Sequence, residues 1–392
     1  MQKSIRFLRY RMAASAVVAA CFLTHAPEAL AREGLDLSGV YIAELAVTPA
    51  GGTDSKVRYL DNLGLTLDAD LAPLLGISDT TVRINVISNA GAQPSESAPT
   101  LEGFHNIEVT RDAVRLFEAW VEHSFGDSSV KMGMYDLNSE FYFTKSSTLL
   151  LAPPFGFGSE ITGTGRNGPS IFPSSSLTLR LKTALPVAGG YAQVALLNAR
   201  AQTLGDPGGI NLSFDDGLLA IGEAGAGERL RGALGVWSYT RPSDALASLT
   251  ETGAPLRART AGIYAMTEYN FTPDGPRDIT AFLSSGVADG RSNLFTHALN
   301  AGLLVSPAIS GRKASALSLG FRHVTTSSEF RRAAVLAGEV PWHQENALEL
   351  TYSDAITPFL SLQPNIQINH MSDGSGNSST ALHATARITL SF

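Results

Sequence analysis

Cysteine is nearly absent: one residue, Cys21, in a chain of 392. Also missing beyond residue 31 is any apolar run near the roughly 18 residues that a membrane-spanning helix requires. Charge is sparse at 17%, and no cluster of lysine or arginine follows the first dozen residues. With mean hydropathy near zero (+0.06), the composition excludes a helical membrane bundle and does not suggest disorder. The absence of a basic patch argues against nucleic acid as a partner. No G-x-S-x-G, H-E-x-x-H or paired-histidine motif occurs. His105, His123, His297, His323, His343, His370 and His383 are scattered. No catalytic residue, metal ligand or cofactor site is therefore expected.

What is present begins with a leader. Lys3, Arg6, Arg9 and Arg11 form a basic stretch, Met12 to Leu23 an apolar core, and Ala29-Leu30-Ala31 a small-residue cleavage site. Residues 1–31 read as a signal peptide and 32–392 as the exported domain. Val18-Ala19-Ala20-Cys21 also fits a lipoprotein box, but cleavage after Ala31 is favoured. Removal of four basic residues and one acidic residue takes the formal charge from −7 to −10. The exported domain then has no thiol, which excludes disulfides, cysteine catalysis and thiolate metal sites.

From Gly34 onward hydrophobicity alternates with period two between turn residues, the pattern of antiparallel strands. In Leu382 to Phe392, Leu382, Ala384, Ala386, Ile388, Leu390 and Phe392 share one face; His383, Thr385, Arg387, Thr389 and Ser391 share the other. Leu177, Leu179 and Leu181 alternate with Thr178, Arg180 and Lys182. Segments near the 9–11 residues that a tilted strand needs to cross a bilayer, and a last strand ending on Phe392, favour a transmembrane barrel over a soluble sandwich. A closed sheet also leaves no unpaired edge in hydrocarbon. About 360 residues at roughly 22 per strand and connection give about 16 strands, wide enough for water. The expected fold class is all-β: a transmembrane antiparallel β-barrel.

Thr144 to Pro173 interrupts the alternation with Gly, Pro and Ser around Leu149-Leu150-Leu151 and Phe155-Gly156-Phe157. So long a stretch tends to be functional. It either folds inward to narrow a pore or lies outside as a surface loop.

Several segments resemble the OprB-type carbohydrate-selective porins. They are Arg115-Leu116-Phe117-Glu118-Ala119-Trp120-Val121-Glu122, Val130 to Asp136 with Ser139-Glu140-Phe141, and Phe282 to Gly290 with Asn293. The most specific runs from Glu345-Asn346-Ala347-Leu348-Glu349-Leu350-Thr351-Tyr352 through Pro358 to Leu362-Gln363-Pro364-Asn365-Ile366-Gln367. The resemblance implies an outer-membrane barrel whose narrowed lumen passes sugars by diffusion.

Sugar passage needs many weak partners for hydroxyl groups, with aromatic faces for pyranose rings. Strand parity nominates Glu118, Trp120, Glu122, Arg180, Lys182, Glu268, Glu345, Glu349, Gln363, Asn365, Gln367 and Arg387 as lumen residues that could touch solute. Trp120 could instead belong to an interfacial aromatic belt if a bulge shifts parity. The expected partners are small carbohydrates as solutes, outer-membrane lipid around the barrel, and the barrel-assembly machinery acting on the last strand.

Overall fold

A computed structural model describes residues 33–392; the leader reading of residues 1–31 lies outside the described residues. The first strands are β1 (Leu35–Ala50), β2 (Arg58–Asp70), β3 (Thr80–Gly91), β4 (Ala113–Phe125), β5 (Ser128–Tyr135) and β6 (Ser176–Ala184). Next come β7 (Tyr191–Asn198), β8 (Leu218–Ala226), β9 (Leu230–Tyr239), β10 (Ser243–Leu249), β11 (Pro255–Ala258) and β12 (Ala261–Asn270). The last are β13 (Asp278–Ala288), β14 (Phe295–Ser306), β15 (Ala316–Thr326), β16 (Gln344–Thr357), β17 (Leu360–Ser372) and β18 (Ser378–Ser391).

Sixteen of these strands form one closed antiparallel barrel, and β10 and β11 form a separate hairpin between β9 and β12. Closure is made by β1 on β18, with Val40 opposite Ser391 and Leu45 opposite Ala386. Phe392 extends that ladder: its N–H donates to the Gly39 carbonyl (3.0 Å) and its carbonyl accepts from the Gly39 N–H (2.7 Å).

Burial is inverted relative to a soluble protein. Outward-facing Leu234 is 69% exposed, whereas inward-facing Glu349 is 1% exposed. Leu179, Leu181, Val194, Val236, Ile263, Leu348, Ile366 and Ile368 continue the exposed apolar surface. In a transmembrane barrel such a band faces hydrocarbon, where a closed ladder pairs the backbone groups of neighbouring strands.

The two ends of the barrel differ in the length of their connections. At one end none exceeds nine residues, and the shortest are Gly126-Asp127 and Pro358-Phe359, with Gly126 at φ +59°. That left-handed backbone suits glycine. The other end carries the long segments 92–112, 136–175, 199–217, 240–260 and 327–343. Outer-membrane barrels place short turns in the periplasm and long loops outside; both ends of the barrel domain lie at the short-turn end.

Candidate functional site

Two of the long segments turn back into the barrel. The 136–175 loop, which contains the Thr144 to Pro173 stretch, crosses the lumen to strands on the far wall. The backbone N–H groups of Leu151 and Ala152 donate to Glu349 on β16 (2.5 and 3.1 Å). Gln363 on β17 donates to the Leu149 carbonyl (2.7 Å), and Asn300 on β14 donates to that of Pro154 (2.9 Å). The Ser146 N–H and hydroxyl both donate to Glu268 on β12 (2.8 and 2.6 Å).

Glycines in the wall make room for the loop. A Cβ at Gly320 would lie 2.5 Å from the Phe155 ring, and one at Gly286 would lie 1.9 Å from Glu160 Oε1. Glu160 itself is on the loop, and burial raises its carboxyl to about 8.

The 92–112 loop also enters the lumen, which the sequence pattern did not foretell. Thr100 donates to Glu345 (3.0 Å), as does the Leu101 N–H. Gln367 donates to the Phe104 carbonyl (2.9 Å), and Arg387 donates to Asn106 (2.5 Å). Arg322, fully buried on β15, joins loop residue Glu102 (2.7 Å) to Glu345 (2.8 Å). The two loops meet where the Asn106 N–H donates to the Leu151 carbonyl (2.8 Å).

The nominated lumen residues all face inward, in two groups. Glu268, Glu345, Glu349, Gln363, Gln367 and Arg387 hold loop atoms. Asn365 donates to Glu349 (2.6 Å) and so braces that anchor. These groups shape the opening by fixing what fills it. The second group lies on β4 to β6. Arg180 is fully buried and bonds Glu122 (2.7 Å) and loop residue Glu140 (2.8 Å). Lys131 reaches both carboxylates at 3.2 Å. Glu118 accepts from the Trp120 indole N–H (3.0 Å), while Lys182 lies 4.0 Å from Glu140 and stays partly exposed.

A bulge does occur in β4, at Phe117, where Asn85 pairs with Glu118 but Val86 pairs with Leu116. It precedes Trp120, so the inward parity of Glu118, Trp120 and Glu122 is kept. The ammonium of Lys131 sits 4.2 Å above the Trp120 ring.

Sequence reasoning missed Glu44, His105, His383, Arg322, Glu140 and Glu223. Glu140 carried a signal inside Ser139-Glu140-Phe141, and His383 shared the polar face that holds Arg387. Burial pushes the Glu140 carboxyl up, but Lys131 and Arg180 outweigh it and bring it to about 2. The others are recognisable only once distant segments meet. Reasoning from polar inward faces also missed a dry sector. Trp237, Tyr239, Leu219, Ile221, Tyr264 and Met266 line β8, β9 and β12 and pack on loop residues Phe141, Tyr142, Phe157 and Ile161.

Against known proteins, the fold has close counterparts. A search of curated sequences returns no match. The OprB of Pseudomonas putida solved at high pH superposes with a TM-score of 0.81 at 20% identity, covering 92% of this chain and 94% of that one. The low-pH structure of the same protein gives 0.57 at 17% identity, covering 92% and 93%. An anion-selective porin from Comamonas acidovorans gives 0.57 at 13% identity, covering 91% and 99%. At such identities these likenesses show the fold. The sequence profile of the carbohydrate-selective porin, OprB family, matches residues 54–392. With that match spanning all but the first barrel strand of a sixteen-stranded closed barrel, the chain belongs to the OprB family of carbohydrate-selective porins and is an outer-membrane channel.

Proposed function

We propose that the channel passes uncharged sugars of monosaccharide size by passive diffusion, past the wall formed by β4 to β6. The observation that carries this reading is the alternating charge lattice there. Glu118, Glu122 and Glu140 face Lys131, Arg180 and Lys182, three of each sign. Glu118, Lys131 and Arg180 are buried and balance the field, while Glu122, Glu140 and Lys182 keep surface that offers a hydroxyl acceptors and a donor. Each contact is exchangeable, so a solute enters and also leaves.

The reading is non-enzymatic. Inward His105 and His383 bond to each other and to Glu44 and Thr48, so neither is poised beside an open nucleophile. The leader of residues 1–31 supports export, the apolar outer band supports a lipid annulus, and the terminal Phe392 supports recognition by the assembly machinery.

The test is conductance of the purified protein in planar bilayers, with sugars of increasing size added. Stepwise current that monosaccharides interrupt is expected. Current that no sugar interrupts, together with liposome swelling by unrelated solutes, would demote the channel to a general porin.

A further inference from the structure

Most inward polar groups on β16 to β18 are engaged by the loops and cannot also hold a solute. The wall between β9 and β14 differs near the short-turn end. There a cavity of about 280 Å³ opens beneath the Ser146–Glu268 contact. Its roof is Lys145 and Ser146 of the inward loop, and its wall is Arg231, Glu268, Asn270, Asp278 and Thr280. Glu228 and Arg229, in the turn before β9, close its lower edge.

We propose that this cavity is an exit-side binding site for one uncharged monosaccharide; the proposal rests on the sugar-channel reading above. Three observations point to it. Its volume lies at the lower edge of the roughly 300–1,000 Å³ of small-molecule sites, which suits one sugar ring.

Its charges balance: Lys145, Arg229 and Arg231 against Glu228, Glu268 and Asp278. No ion is favoured, while donors and acceptors both face a polyol.

Finally, capacity for new bonds remains. Glu268 is taken by Ser146 and Arg231, and Asp278 by Asn270 and Thr280. The Lys145 ammonium and the Glu228 carboxylate have no hydrogen-bond or ion-pair partner among the described residues. A sugar bound between them gains a donor to a hydroxyl or ring oxygen from Lys145 and an acceptor for a hydroxyl from Glu228. Both contacts are charge-assisted and stronger than those between neutral groups.

The site also predicts a direction. A solute arriving from the short-turn side reaches it without passing the inward loops; one from the other side must cross them first.

The experiment is single-channel current analysis of the full protein in planar bilayers, with glucose added to one chamber at a time. The wild type should show faster onset of blocking events from the short-turn side. Lys145→Ala should shorten the events and weaken block about tenfold, Glu228→Gln should weaken it less, and Lys145→Arg should restore it. Unchanged block in both Lys145→Ala and Glu228→Gln would overturn the cavity as a site while leaving the sugar channel standing. A wild-type current that no sugar interrupts would overturn both readings together.

Discussion

His105 and His383, 278 positions apart in sequence, bring their Nε2 atoms to 2.7 Å inside the barrel. One is on the 92–112 loop and the other on β18. The chain of contacts continues at both ends: His105 Nδ1 to Glu44 at 2.5 Å, and His383 Nδ1 to Thr48 at 3.0 Å. Phe104 stacks on His383 with ring centres 4.3 Å apart. An Nε2–Nε2 hydrogen bond requires one proton between the two atoms, so two imidazolium rings cannot keep it.

Losing one ring breaks that bond and the contacts beyond it, so His383→Leu should loosen the 92–112 loop. Glu44, Arg387 and Thr48 face the pair directly, and Arg58 and Glu108 act at longer range. Channel conductance should rise in His383→Leu relative to the wild type, and His383→Gln, which keeps a polar partner for His105, should fall between. Equal conductance in all three proteins would remove the pair from any part in holding the loop.

Glu349→Ala should free the larger loop. Two backbone N–H groups lose a buried carboxylate acceptor, at a cost of roughly 2–5 kcal/mol in docking. The barrel ladder is untouched, so the folded form should persist on unheated gels while conductance grows and sugar block fades. Glu349→Gln keeps one acceptor and should fall between.

Gly286→Ala should misplace the loop without touching its anchors. The new methyl group meets Glu160 Oε1 at 1.9 Å, an overpacking that costs about 1–3 kcal/mol. Pairing it with Glu160→Ala should recover most of that loss, because the two positions share one contact. Additive losses in thermal unfolding would contradict the shared contact.

Glu160 makes stability fall with rising pH. Its folded-state value, about 8, exceeds the ordinary 4.5, so folding favours the protonated acid. That favourable contribution is complete below about pH 4.5 and is lost as pH rises through 8. Glu160→Gln mimics the acid and should raise the unfolding midpoint at pH 8–9 but leave it nearly unchanged at pH 5, as read by the temperature of the gel shift.

On the outer surface, Leu234→Arg at an exposed lipid-facing position should cost about 2–4 kcal/mol near the bilayer midplane. Refolding yield in lipid vesicles should drop more than in detergent; equal yields would place that face outside the hydrocarbon.

The barrel was legible in the sequence because lipid and water impose a period-two pattern on every strand. Ile366 and Ile368 against Asn365 and Gln367 announce which face is which. The terminal strand through Phe392 was equally plain. What the residues do inside was less readable. Glu345, Glu349 and Gln363 looked like groups for a solute, yet they hold loop backbone, because periodicity reports a face and not what occupies it. The larger loop declared itself by breaking the rhythm with Leu149 to Phe157. The 92–112 loop has no such apolar block; it enters on His105, Glu102 and Thr100, whose partners on the barrel wall lie more than two hundred residues away or, for Glu44, in the first strand. Trp237 and Tyr239 cannot be placed from the sequence, because an inward aromatic facing a loop and an outward one facing lipid make the same pattern.

The far-wall anchors have a consequence for assembly order. The loop segments are made early in synthesis, but Glu345, Glu349, Gln363, Gln367 and Arg387 belong to the last three strands. Neither loop can be fully seated until those strands are in the sheet, and contacts of such long sequence separation form slowly. A nascent barrel therefore passes through a wide, unfiltered stage. Selectivity is acquired last, at the moment the final hairpin closes on β1.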